Sequence, residues 1–188
     1  VSHTAMLTGV GPAKHKIDWN DWQPAKGALA VPTIFSLVKK HDKKWVTGLF
    51  AGKEKFAHLL APGSLDAFSL PGYPARKVVR AAAEFIAEER PRLCFLHFAD
   101  PDGAGHSKGW GTPEQKRAFA DVDDALGTLM RTLHRTGLAD RSVVIVSADH
   151  GGHAKTHGSA LSDDMNIPWF AWGATVRRGV ALRGPVYT

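Results

Sequence analysis

Between residues 147 and 158 the chain reads SADHGGHAKTHG, which puts one carboxylate and three imidazoles on a glycine-rich stretch directly after an apolar run. A second such group, Asp102-Gly-Ala-Gly-His106, follows the apolar run RLCFLHFA at 92–99. Aspartate and histidine are oxygen and nitrogen donors of the kinds zinc accepts, and Asp102, His106, Asp149, His150 and His157 supply five of them. His153 competes with His157 for the same role. A two-metal site is the economical explanation, because two divalent ions about 4 Å apart suit displacement at phosphorus or sulfur, one activating the attacking oxygen and both steadying the charged ester. Adjacent side chains leaving a strand point to opposite sides. Asp149 and His150 therefore either reach one ion through a bend at Gly151-Gly152 or serve neighbouring ions.

Both donor groups stand at the end of a predicted buried strand, at 92–99 and at 142–148, the latter expected as a central strand. In open α/β sheets the carboxyl ends of strands are where ligands collect. The Asp102–His106 segment reads as a flexible Gly-x-Gly turn, since glycine permits the backbone reversals that would wrap both donors onto one cation. Apolar spacing predicts a short helix at 3–8 ending at Gly9, and a helix at 32–41 opened by Pro32 with Ile34, Phe35, Leu37 and Val38 as its apolar side. Trp45–Phe50 reads as a strand and Lys53–Leu60 as a short helix. Pro74–Glu89 is amphipathic, with Val78, Val79, Ala82, Phe85 and Ile86 on one side. Thr112-Pro113-Glu114-Gln115 is a capping-box start for a helix whose stripe is Phe119, Val122, Leu126, Leu129, Met130 and Leu133, with Gly137 as its stop. A last strand is expected at 167–173. This alternation favours an α/β layered fold with a largely parallel sheet.

The chain has 188 residues, 44% hydrophobic and 22% charged, and no run of 18 apolar residues. It fits one domain without staples. The net charge of +6 is dispersed, and its densest cluster, at 39–44, reads as a solvated helix end, so no specific nucleic-acid recognition is expected. Cys94 is the only cysteine and lies in an apolar run, where a core role is favoured over a reactive thiol. Trp19, Trp22 and Trp110 read as packed loop residues, with stacking on a planar leaving group as the alternative. Trp169 and Trp172 read as core. Gly9-Val-Gly-Pro12 lacks the Gly-Lys-Ser/Thr of a phosphate-cradling loop.

Taken together, SHTAMLTG, IDWND, DPDGAGH, SADHGGHAKTHG and NIPWFAWG resemble the alkaline phosphatase superfamily, especially its nucleotide pyrophosphatase/phosphodiesterase-like and related bacterial phosphatase or sulfatase-like members. The resemblance runs from residue 2 to about residue 180, and its most specific pieces are the Asp-x-x-x-His and Asp-His-Gly motifs with the later histidine. It implies a three-layer α/β/α sandwich with a largely parallel central sheet, forming one catalytic domain over 1–188 that is incomplete at both ends. It assigns Asp102, His106 and His157 to one divalent ion and Asp149 with His150 to another, zinc in both places with manganese as the alternative. Asn20, which by itself reads as a turn residue, matches the family asparagine that donates to a phosphoryl oxygen. The family nucleophile, Thr or Ser, falls three residues before Ser2 and so outside this chain; making Ser2 or Thr4 the nucleophile would need a shift of register. The implied activity is hydrolysis of phosphoric mono- or diesters through a two-metal site and a covalent phospho-enzyme, acting on a small phosphate ester in the periplasm or outside the cell. A sulfatase, a phosphoryl mutase of the same superfamily and a non-catalytic metal-binding module are the alternatives.

Overall fold

The computed structural model describes residues 1–21, 23, 25 and 29–182, so Trp22 and the end of the chain at 183–188 lie outside the described residues. The sheet is built around β1 (Thr47–Ala51), a fully buried strand that pairs in parallel with β2 (Ala67–Ser69) on one side and β3 (Leu93–His97) on the other. Side chains alternate across a strand, and β1 feeds two separate cores accordingly. Leu49 and Ala51 join Leu7, Ile17, Trp19, Phe35, Phe56 and Leu59 on one face, whereas Phe50 joins Val78 and Ala82 on the other. Helices α1 (Ser2–Thr8) and α3 (Ile34–His41) supply the first face, together with the 3₁₀ turn Glu54–His58, and α2 (Pro12–His15) packs against α1. The second face is covered by α4 (Ala75–Glu89), which connects β2 to β3 and carries the long α6 (Pro113–Arg135) on its outer side. Between β3 and α6 lies α5 (Asp100–Lys108). This is an α/β fold with a parallel sheet flanked by helices.

Local signals set the helix ends. Gly9 closes α1 in the left-handed region at φ 68°, where a residue without Cβ is unstrained. Thr112 caps α6 by accepting from the Gln115 N–H at 3.4 Å, but the Gln115 side chain accepts from Gly111 instead of returning to Thr112. Helix α3 starts later than expected: Thr33 caps it through the Ser36 N–H, leaving Pro32 outside, because the threonine oxygen can satisfy an orphan donor. Phe35 is the buried residue of that helix, while Ile34 and Leu37 are exposed. In α6 the stripe continues through Ala125, Leu129 and Leu133, but Phe119 is 55% exposed, although its neighbour Ala118 is buried. No described helix is long and apolar enough to cross a membrane.

Two further expectations are corrected. Residues 100–106 do not form a flexible turn; they are the body of α5. Asp100 and Asp102 occupy its first turn, where negative charge suits the helix dipole, and the Asp100 carboxylate accepts from the Ala75 N–H at 2.9 Å, tying α5 to the start of α4. Its glycines serve close approach: a Cβ at Gly103 would stand 2.9 Å from the Tyr73 hydroxyl, and one at Gly105 would stand 2.8 Å from the Trp110 indole. The strand expected to be central, β4 (Val143–Ser147), belongs to a separate two-stranded sheet and pairs antiparallel with β5 (Trp169–Gly173). An apolar run of this length specifies a strand without specifying its neighbour. Val144 and Trp172 pack inward, Trp172 donating to the Met130 sulfur at 3.2 Å, while Val143, Ile145 and Phe170 are exposed. Short helix α7 (Ser162–Met165) links the two strands.

Candidate metal centre

Helix α5 places Asp102 and His106 one turn apart on the same face, with His106 Nε2 3.4 Å from Asp102 Oδ1. From the far side, the segment after β4 brings His157 Nε2 to 3.7 Å and His150 Nε2 to 3.8 Å from the same oxygen. Asp102, His106 and His157 each offer a donor atom, and these atoms lie within 4.8 Å of one another. Asp149 stands alongside, its Oδ2 3.4 Å from His150 Nε2. The bend between them lets these adjacent side chains face the same way. The structure therefore gathers five of the six residues singled out from the sequence. The sixth, Asn20, is exposed in the loop after buried Trp19 and makes no hydrogen bond to another described residue. His153, the competitor of His157, pairs with Asp164 instead, Nδ1 to Oδ1 at 2.8 Å.

Hydrogen bonds fix the protons on two of the imidazoles. His106 Nδ1 lies 3.1 Å from the Lys155 carbonyl and His150 Nδ1 lies 2.8 Å from the Gly151 carbonyl. A carbonyl only accepts, so Nδ1 carries the hydrogen in both rings and a neutral ring presents its Nε2 lone pair towards Asp102. Asp102 Oδ1 is itself buried and has no hydrogen-bond donor. A carboxylate oxygen facing imidazole lone pairs is repulsive unless a cation or proton sits among them. In a tetrahedral zinc site, ligands at about 2.0–2.1 Å stand about 3.4 Å from one another, close to the spacing found here. The donor set fits a divalent ion.

Lysines complete the electrostatics. The other oxygen of Asp102 accepts from Lys53 Nζ at 2.6 Å. Burial works against ionisation of Asp102, but this ammonium outweighs it and holds the carboxyl below its usual range. Burial lowers the Lys55 pKa, and Lys53 nearby adds to the effect. Burial also lowers His157, assisted by His150, whose ring stacks on it at 3.6 Å with planes 13° apart. Neither lysine was singled out from the sequence, although both follow β1, a third strand whose carboxyl end opens here. The same strand-end rule that pointed to Asp102 and Asp149 would have reached them.

Two more histidines were missed. His3 on α1 is 2% exposed and places Nε2 3.0 Å from Asp149 Oδ2, without the alignment of a hydrogen bond. Its ring packs on Phe56 and His97, with centroids 4.8 and 4.7 Å away, and burial keeps it neutral far below its ordinary range. His97, at the end of β3, is lowered by burial to about 4. Nothing in the spacing of the sequence separates either residue from an ordinary core histidine.

Trp110 sets the distance between the two donor segments. Its indole lies over Gly105 of α5 and against Gly152, where a Cβ would overlap the ring. The Trp110 backbone N–H donates to the Ala154 carbonyl at 2.8 Å, and the ring meets His106 edge-on at 5.2 Å. It is a packed spacer, and Trp19 is a core residue.

Comparison with known proteins adds to this geometry. Residues 1–166 match the family model described as type I phosphodiesterase / nucleotide pyrophosphatase. The chain is similar to the bis(5'-adenosyl)-triphosphatase ENPP4 of Bos taurus, 26% identical over 148 residues that cover 76% of this chain and 32% of that protein. It is also similar to ectonucleotide pyrophosphatase/phosphodiesterase family member 3 of Mus musculus, 38% identical over 170 residues that cover 80% of this chain and 19% of that protein. Among solved structures, an inactive variant of murine ectonucleotide pyrophosphatase/phosphodiesterase 5 in complex with AMP superposes with a TM-score of 0.61 at 24% identity, covering 79% of this chain and 44% of that one. The chain thus spans less than half the length of each of these proteins.

Proposed function

The chain belongs to the type I phosphodiesterase / nucleotide pyrophosphatase family, and from that premise we propose that it carries the metal-binding part of a phosphoric ester hydrolase. The observation that carries this proposal is Asp102 Oδ1, buried without a donor and faced by three imidazole nitrogens. Asp102, His106 and His157 would hold one divalent ion, and Asp149 with His150 a second, both zinc, with manganese as the alternative. Such ions supply Lewis-acid stabilisation of the charge that develops on a phosphoryl group.

The chain's own residues do the rest. The carbonyls of Lys155 and Gly151 hold His106 and His150 in the tautomer that leaves Nε2 free to bind. Lys53 and Lys55 put positive charge beside the donors, which draws in an anionic ester and favours one bearing more than one negative charge. Asn20, exposed and unbonded among the described residues, is free to donate to a phosphoryl oxygen. Thr4 is 1% exposed inside α1, which argues against its use as a nucleophile. A covalent phospho-enzyme would draw its hydroxyl from the position the family places ahead of Ser2. The substrate is a small phosphate ester, and the AMP bound by the murine relative supports a nucleotide ester. The names of the ectonucleotide relatives support a location in the periplasm or outside the cell.

The test is metal analysis of the intact protein together with hydrolysis of p-nitrophenyl phosphate and bis-p-nitrophenyl phosphate in zinc or manganese. Stoichiometric metal and ester hydrolysis, both lost in Asp102→Ala, are expected. Undiminished metal content in Asp102→Ala and His157→Ala would remove the proposed centre. Zinc binding without hydrolysis of either ester would leave a metal-binding module, and cleavage of p-nitrophenyl sulfate instead would make the protein a sulfatase.

A further inference from the structure

We propose that Asp164 is the positioning residue for His157, holding it at the metal centre by clamping the loop on both sides of it with one carboxylate. The inference rests on the reading of His157 as a metal ligand. His106 and His150 each have a ring nitrogen anchored to a carbonyl, but the His157 ring makes no hydrogen bond among the described residues. Packing against His150, His106 and Trp110 sets the tilt of the ring, and its backbone sets how far it reaches. That backbone is gripped from α7: Asp164 Oδ1 accepts from His153 Nδ1 at 2.8 Å, ahead of His157. Asp164 Oδ2 accepts from the Ser159 N–H and hydroxyl, both at 2.7 Å, behind it.

The Asp164 side chain is 1% exposed, so these charge-assisted bonds are shielded from water. Within the gripped segment, His153 and Thr156 exchange backbone hydrogen bonds at 3.0 and 2.9 Å, which makes the intervening turn rigid. The Gly151 and Gly152 N–H groups donate to the Asp164 and Asp163 carbonyls at 2.8 Å each, docking α7 under the start of the loop. Both carboxylate oxygens are used in the clamp, so Asp164 serves His157 without being a ligand itself. Hydrogen bonds from His153 and Ser159 keep it ionised well below the usual carboxylate range, which suits a permanent acceptor.

A double-mutant cycle on zinc affinity in the intact protein tests this, with the visible spectrum of the cobalt-substituted protein as a second readout. His157→Ala and Asp164→Ala should each weaken zinc binding about 10- to 100-fold, and the double variant should be no more than about twofold weaker than His157→Ala alone. The cobalt spectrum of Asp164→Ala should match that of His157→Ala, as expected when the same imidazole is lost. His153→Ala should weaken zinc about tenfold, while His153→Asn, whose amide donates from near the Nδ1 position, should come within about threefold of the parent. If Asp164→Ala does not fold, the cycle is run with His153→Ala. Parental zinc affinity in Asp164→Ala, or losses that simply add to that of His157→Ala, would overturn the clamp while leaving the metal centre intact. Unchanged affinity in His157→Ala would instead remove the ligand assignment on which the clamp depends.

Discussion

The rings of His150 and His157 lie face to face, with centroids 3.6 Å apart and planes 13° from parallel. Two stacked imidazoles cannot both be protonated cheaply. Burial and then His150 hold the His157 pKa below its ordinary 6.5, so between the folded value and 6.5 the unfolded chain binds the proton that the folded chain refuses. The stability from the neutral pair is present above pH 6.5 and is lost as the pH falls through the folded value. Replacing His150 by Ala should therefore raise the titration midpoint of His157, followed by NMR in the metal-free protein; a midpoint that stays put or falls contradicts this coupling.

Together with His3, which burial also keeps neutral, His97 should shape the acid limb of the stability curve. Its pKa is lowered by burial from 6.5 to about 4, so stability should fall as the pH drops between those values, by on the order of 3 kcal/mol. Below about pH 4 this contribution levels off. Urea unfolding midpoints measured from pH 7 to pH 4 should fall less steeply in His97→Asn than in the parent, the remaining slope coming from His3. Parallel curves would show that another group titrates.

Lys53 would compete with a metal ion bound at Asp102. Its ammonium donates to Oδ2 at 2.6 Å, a charge-assisted bond that a cation bound at the carboxylate would weaken. Lys53→Met keeps the aliphatic stem and removes the charge, so zinc affinity should rise about tenfold by competition titration. A weaker affinity would mean that Lys53 orders the carboxylate more than it opposes the ion.

At Gly152 the indole of Trp110 leaves no room for a side chain. Gly152→Ala should lower stability by about 1–3 kcal/mol by overpacking and, because the indole also spaces His106 from the 150–158 segment, should weaken zinc binding. Thermal melts and zinc titrations should move together, and Trp110→Leu in the same protein should recover part of both losses. Normal stability in Gly152→Ala would show that Trp110 is free to shift.

How much was legible follows the range of each interaction. Helices α4 and α6 were visible because their stripes and caps lie within a few residues: Val78, Val79, Ala82 and Ile86 are buried as their spacing implies, and Thr112 caps where a threonine before proline should. The candidate donor residues were visible for a similar reason. Aspartate and histidine grouped just beyond apolar runs have few roles in a buried strand, and their chemistry is set by their own side chains.

By itself, then, the amino-acid order determined the stripe of α4 and most of that of α6, the positions of every strand but β2, and which aspartates and histidines are candidate donors. Tertiary structure alone decided that Asp102-Gly-Ala-Gly-His106 is a helix, because what its glycines accommodate is Tyr73 and Trp110, which pack there through the fold. It also decided that β4 pairs with β5, that Lys53 meets Asp102, that His3 lies against Asp149 and that Asp164 grips both sides of His157. Each of these relationships joins residues that only the folded chain brings together, and periodicity and local spacing carry no information about which distant partner a side chain will meet.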